Sequence, residues 1–240
     1  MLIVLGGDII FARVKDQLEE PTGVVDVGTG TIWAIEVGDM HPNTHVYGFD
    51  YRPNQPSFVP PNVECSLDDV EQDWLLDELC SPRRTINYVH ARDMTLAVKD
   101  RPKFLGQTFK CVEFQIPTES NNTKDWKHWV STIPCPTRVG CCGWSKTSGF
   151  EGTTEKFWKI PIGGWCANKR LKEVGNNMRL ILSQGAQAIA ETPLAAGQGW
   201  SPERVLELVA SFREGLGDYS SEPYFTFRAI YGRKPDTHER

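Results

Sequence analysis

Basic residues do not dominate this 240-residue chain, its opening apolar run is short, and its cysteines follow no ligand spacing. Lys and Arg number 26 against 31 Asp and Glu, a formal net charge of −5. A face that neutralises a phosphate backbone needs clustered cations, and Arg83-Arg84 and Lys169-Arg170 are only pairs. No nucleic acid is expected as a partner. The run Leu2-Ile3-Val4-Leu5 stops at Gly6-Gly7-Asp8, too short for a signal peptide or a membrane span. An intracellular protein is expected, cytoplasmic first and nuclear second. Seven cysteines is an odd count, and Cys135, Cys141 and Cys142 lack C-x-x-C pairs with histidines. That excludes a disulfide framework and leaves no metal site to expect. Asn121-Asn122-Thr123 fits a glycosylation sequon, read as a chance match without a secretory signal. No internal repeat or long low-complexity run is present.

What is there converges on one turn. Gly23-Val24-Val25 is an apolar run suited to a strand, and Asp26-Val27-Gly28-Thr29-Gly30-Thr31 ends it just before an amphipathic stretch. Glycines at a strand-to-helix turn let the backbone approach a ligand, while free N–H groups at the helix start favour an anionic group. Such turns also use glycine for purely conformational reasons, so the pattern alone leaves both readings open. His45-Val46-Tyr47-Gly48-Phe49-Asp50 then reads as a second strand ending in an acid. That acid falls near the ~20-residue offset at which α/β folds place a ribose-binding carboxylate.

The rest of the chain continues the alternation. Val63–Ser66 and Thr85–His90 read as third and fourth strands with a helical Leu67–Leu79 between them, and Val112–Gln115 as a fifth strand. Strand and helix in turn imply a parallel sheet with helices on both faces. The stretch from there to Lys156–Ile162 is rich in Thr, Ser, Pro and Gly. It reads as loop with one short helix near Trp126–Val130, in the manner of a lid or an insertion. Ser201 reads as an N-cap with Pro202 at the first helical position; Val205, Leu208, Val209, Phe212 and Leu216 follow at helical spacing up to Gly217. Tyr224 to Tyr231 alternates, with Phe225, Phe227, Ala229 and Tyr231 on one face, as a last strand returning antiparallel at the sheet edge would. A single domain over residues 1–240 is expected, since 40% hydrophobic content at this length can bury a sizeable core. Its parts are a cofactor-binding core at 22–116, a lid-like segment at 117–165, and C-terminal helices with a closing strand at 166–240.

The ordered set from Val24 through the glycine turn to Ile32-Trp33-Ala34-Ile35-Glu36 carries a family resemblance. With it go Tyr47-Gly48-Phe49-Asp50, Gln55-Pro56-Ser57-Phe58-Val59-Pro60-Pro61-Asn62-Val63 and Asp68-Asp69-Val70-Glu71. Together they resemble the fungal LaeA-like S-adenosylmethionine-dependent methyltransferases. Leu171-Lys172-Glu173-Val174-Gly175, Gly199-Trp200-Ser201-Pro202-Glu203 and Tyr231-Gly232-Arg233-Lys234-Pro235 look like that family's last helices and closing strand, so the resemblance runs from about Leu2 to Pro235. It implies a class I methyltransferase fold of the Rossmann-like kind, a three-layer α/β sandwich whose sheet is mostly parallel with one antiparallel return strand. The implied activity is methyl transfer from S-adenosylmethionine to an oxygen, nitrogen or carbon of a small molecule in fungal secondary metabolism.

The same resemblance assigns roles. Gly28 and Gly30 form the cofactor turn. Asp26 organises it and reaches the cofactor ammonium, or else caps the helix. Asp50 resembles the acceptor of the two ribose hydroxyls, or is an ordinary turn acid before Pro53. Asp69 aligns with the acid that accepts the adenine amino group, or caps a following helix, while Val70 supplies a backbone N–H to the ring. His90, in a His-x-Arg with Arg92, stands where the methyl-accepting pocket opens and is a candidate general base. The alternative is a strand-end histidine satisfied by backbone groups, for no partner carboxylate is identifiable in the sequence. Trp33 is expected to pack on the sheet; Trp126, Trp129, Trp144, Trp158 and Trp165 are suited to an aromatic pocket or to core filling.

Two departures from the family pattern stand out. Thr31 is followed directly by Ile32 where the family has a third glycine, which shortens the turn or rotates the helix start by roughly 100°. Binding at the methionine end of the cofactor is therefore expected to be weakened. Cys111-Val112-Glu113 follows Phe104–Lys110 without the family's glycine-containing turn, and the stretch from Ile116 to Glu151 is shorter than its counterpart. Two origins fit: a contracted descendant that no longer methylates, or a coding sequence missing pieces at exon boundaries. A non-methylating chain would be an accessory protein that binds an intermediate, or a pathway or regulatory protein. A repurposed pocket for rearrangement or cyclisation is a third reading.

Overall fold

Runs of valine and aromatic residues set the sheet that positions everything else. The computed structural model describes residues 23–30, 32–74, 86–92, 94, 97–108, 149–218 and 222–233. In chain order these hold β1 (Gly23–Val27), α1 (Trp33–Met40), β2 (His45–Asp50), β3 (Val63–Leu67), β4 (Tyr88–Ala91), α2 (Arg101–Thr108), β5 (Glu151–Pro161), α3 (Lys169–Glu191), α4 (Pro202–Gly215) and β6 (Tyr224–Arg233). Two compact units divide the chain. One comprises Asp8–Pro117, Val139–Lys156 and Arg228–Arg240; the other comprises Met1–Gly7, Thr118–Arg138 and Phe157–Phe227.

In the first unit four parallel strands run in the order β3-β2-β1-β4. Every residue of β1 is buried, as expected of a central parallel strand covered on both faces. Alternation along it splits the core in two. Val24 faces Trp33, Ala34, Val37, Val46, Val63 and Tyr88, the α1 side. Val25 and Val27 face Tyr47, Phe49, Trp74, Val89, Ala91, Phe104 and Leu105, the α2 side. Helix, sheet and helix make three layers. Asn62, just before β3, ties α1 to β2: its Nδ2 lies 3.0, 3.1 and 2.8 Å from the carbonyl oxygens of Gly38, His41 and Thr44. It thereby meets the Gly38 carbonyl that the end of α1 leaves without a helical partner, together with those of His41 and Thr44 in the turn beyond.

In the other unit α3 and α4 pack around Ile162, Ala186, Ala190, Leu194, Val205, Leu208, Val209, Phe212 and Leu216. The expected stripe of α4 is buried throughout, and Ser201 caps it, accepting from Arg204 N at 3.4 Å with Pro202 next in line. Gly175 of α3 sits so close to Gly163 that a Cβ would run into the Gly163 carbonyl, and Gly163 N donates to Gly175 O at 2.8 Å.

Among the described residues β6 pairs with β5 in a two-stranded antiparallel sheet, the antiparallel return strand that the resemblance implies. Three expectations need correction. Phe227 and Ile230 are both buried although an odd number of positions apart, so β6 does not hold the single alternating phase read from its sequence. The helix expected from Leu67 is absent over its described part, for Leu67 ends β3 and residues 68–74 hold only a turn at Val70 and Glu71 and a bend at Gln72. Local chemistry explains this: Asp68 Oδ1 accepts from Asp69 N at 2.8 Å and Asp69 Oδ1 from Glu71 N at 3.0 Å, an alternative to helical bonding that acids commonly take. The end of the stretch expected as loop, from Glu151 up to Lys156, is strand, the first part of β5. The Val112–Gln115 strand, the Trp126–Val130 helix, Thr31, and Trp126, Trp129 and Trp144 lie outside the described residues.

Candidate functional site

The strand order reverses between β1 and β4, and in open α/β sheets ligands bind at the carboxyl ends of strands beside such a switch point. Gly28 and Gly30 follow β1 there, both in the left-handed region at φ 68° and 56°. Only glycine adopts that conformation readily. The turn is held to the neighbouring strand, since Gly28 N and Thr29 N both donate to Phe49 O, at 2.9 and 3.1 Å. Asp50, the last residue of β2, accepts from Gly30 N through Oδ2 and from Arg52 N through Oδ1, each at 3.0 Å. Asp68 N donates to Asp50 O at 3.1 Å, which brings the Asp68-Asp69-Val70 turn beside Asp50. Asp69 and Val70 therefore follow β3 directly, the strand next to the one Asp50 ends. The structure thus gathers Gly28, Gly30, Asp50, Asp69 and Val70 at one end of the sheet.

Asp26 and His90 form the deepest part. Register pairs Asp26 with His90 on β4 and with Gly48 on β2, and Gly48 with Cys65 on β3. Partners in register share a face, and this row lies on the α1 side. Asp26 and His90 are each 2% exposed. His90 Nδ1 lies 2.7 Å from Asp26 Oδ1; a carboxylate only accepts, so Nδ1 carries the proton. The imidazole stacks face to face on Trp33, the first residue of α1, with ring centres 3.8 Å apart and planes 7° from parallel. Asp26 Oδ2 is buried and meets no hydrogen-bond donor among the described residues. Such an atom is costly unless a ligand or water completes it. The negative charge of Asp26 is felt across the row: burial pushes the Cys65 thiol up, and Asp26 pushes it further.

Beside the turn, a Cβ on Gly28 would run into Met94 Sδ, and one on Gly48 would lie 2.7 Å from Thr29 Oγ1. Glu71 clamps the acidic loop to the start of α2, accepting from Lys99 N at 2.7 Å, while Lys103 Nζ donates to Glu71 O at 2.8 Å. The sequence reading placed Asp26 and His90 in the site but did not pair them, and it missed the Glu71 clamp. A signal for the pair was present, since strands ordered 3-2-1-4 put the ends of the first and fourth side by side. Trp158 and Trp165 take structural places, the first against Phe227 with ring centres 5.8 Å apart and the second donating from Nε1 to Pro223 O at 2.9 Å.

A family profile described as a methyltransferase domain matches residues 8–148, more than half of the chain. The chain belongs to this methyltransferase family. It is 30% identical over 246 residues to the methyltransferase pytC of Aspergillus terreus, covering 90% of this chain and 73% of that protein. It is 23% identical over 257 residues to the secondary metabolism regulator LAE1 of Cochliobolus heterostrophus, covering 95% and 82%. These relatives accord with the LaeA-like resemblance, and the profile shows the methyltransferase domain. Among solved structures, phosphoethanolamine N-methyltransferase 2 of Haemonchus contortus, in complex with S-adenosyl-L-methionine, superposes with a TM-score of 0.51 at 14% identity. That match covers 90% of this chain and 49% of the other, and it establishes the Rossmann-like fold alone.

Proposed function

We propose that this chain binds S-adenosylmethionine at the glycine turn and transfers its methyl group to a small molecule of fungal secondary metabolism. The observation that carries the reading is Asp26 Oδ2, a buried acceptor lacking a donor among the described residues, just behind two left-handed glycines at the switch point. An ammonium group is the donor that a buried carboxylate oxygen calls for. Asp50 retains acceptor capacity after its two backbone bonds, because each carboxylate oxygen has a second lone pair for a ribose hydroxyl. Asp69 and Val70 stand at the adenine end. When bound, the cofactor supplies an electrophilic methyl group, and the chain's part is to hold it and exclude water. The relatives named above support the setting, one a methyltransferase and the other a regulator of secondary metabolism.

The shortened turn after Thr31 favours a second reading, an accessory or regulatory protein that no longer methylates. Calorimetric titration with S-adenosylhomocysteine separates the two, followed by incubation with S-adenosylmethionine labelled in its methyl group and an organic extract of fungal culture. Binding and label in the extract are expected. Failure of the unaltered chain to bind the nucleoside overturns the methyltransferase reading.

A further inference from the structure

We propose that His90 is a positioning residue for Asp26, holding one carboxylate oxygen so that the other is presented to the amino-acid end of the cofactor. The proposal rests on the cofactor reading above and adds to it a residue whose role there is not contact with the acceptor. Three observations combine. The carboxylate and imidazole face each other in register across the switch point, 2.7 Å apart and each 2% exposed. Trp33 covers the imidazole at 3.8 Å, so the ring's plane is fixed by the first residue of α1 and the Nδ1–H has one direction in which to donate. Oδ1 takes that bond, and Oδ2 is the oxygen without a donor among the described residues.

A carboxylate on a strand can turn about its last torsion, exchanging its two oxygens. A donor at fixed distance and direction removes that freedom, and Asp26 is then preorganised before a ligand arrives. The carboxylate would otherwise lose this rotation on binding. Because Trp33 begins the helix that follows the glycine turn, the same stack links the carboxylate's orientation to the placement of that turn.

Two substitutions separate hydrogen bonding from packing. His90→Phe keeps a flat ring against Trp33 and removes the donor. His90→Asn removes the ring and keeps a donor, since the amide nitrogen lies about where Nδ1 does. Each chain is titrated with S-adenosylhomocysteine and with 5′-methylthioadenosine, which has the adenosine but lacks the amino-acid end. The expected result is that His90→Phe binds S-adenosylhomocysteine about 10- to 100-fold more weakly, the scale of one charge-assisted hydrogen bond, with methylthioadenosine changed by less than about 3-fold. His90→Asn should stay within about 3-fold of the unaltered chain for both ligands.

A role in packing alone gives the opposite order, with His90→Asn the damaging change, and that result overturns the proposal. So does equal weakening of both ligands by His90→Phe, or no weakening of either. If His90→Phe does not fold, His90→Asn decides by itself: selective loss of S-adenosylhomocysteine there overturns the proposal, and retention supports it. Absence of binding by the unaltered chain removes the cofactor reading and the positioning role together, whereas intact binding that ignores His90→Phe removes only the latter.

Discussion

Replacing Gly28 by alanine tests the glycine turn where geometry makes its cost calculable. The residue sits at φ 68°, and the new Cβ would run into Met94 Sδ. Holding an L-residue in the left-handed region costs about 1–2 kcal/mol. Met94 has a flexible thioether, so relieving the contact costs an off-rotamer side chain, about 0.5–1.5 kcal/mol. Together the loss is about 1.5–3.5 kcal/mol of folding free energy. Urea unfolding followed by tryptophan fluorescence measures it, and Met94→Ala alone and with Gly28→Ala completes a double-mutant cycle. The cycle should return the smaller, contact-dependent part, and the backbone part should survive in the double variant. A Gly28→Ala chain as stable as the original refutes the reasoning, as does full rescue by Met94→Ala, which would assign the whole cost to the contact.

Inserting glycine after Thr31 should restore the family turn and tighten S-adenosylhomocysteine by about tenfold or more, the worth of one charge-assisted hydrogen bond; calorimetry showing no gain would remove the weakened-turn argument. Asn62→Ala leaves the carbonyls of Gly38, His41 and Thr44 without the amide they share, and unfolding experiments should register a loss of about 1–3 kcal/mol. The Cys65 thiol is pushed up first by burial and then by Asp26, so its thiolate is scarce at mildly alkaline pH. Asp26→Asn removes the second cause. Peptide-resolved alkylation of Cys65 at about pH 8.5, the range of an ordinary thiol, should then become faster, and an unchanged rate would show that Asp26 carries no charge near it.

Patterns with a short reach were legible in the sequence. The valines of β1, the glycine turn, the Ser201-Pro202 cap and the stripe of α4 each depend on neighbours within a few positions, and each lies where periodicity and capping rules place it. Pairings across distance were not. Tyr224 to Tyr231 alternates like any edge strand, and alternation does not say which strand receives it; β5 does, and its first residues are strand where composition suggested loop. Residues 68–74 carry helix-compatible apolar spacing, but the carboxylates of Asp68 and Asp69 bind nearby backbone N–H groups and divert the chain into turns. The Asp26–His90 pair joins positions 64 apart in sequence, so neither residue alone announces the other.

Asp50 has a consequence for how the two halves of a nucleoside ligand would feel each other. One carboxylate both restrains Gly30 of the glycine turn and fixes Arg52 in the loop beyond β2. A group that draws on its remaining lone pairs acts on both segments at once. On the proposed cofactor reading, occupancy at the ribose end would carry a free-energy link to the shape of the turn at the amino-acid end, and such a link is reciprocal. Adenosine alone would prepare the turn it does not touch, and a ligand's amino-acid tail would in its turn steady the acid that grips its sugar.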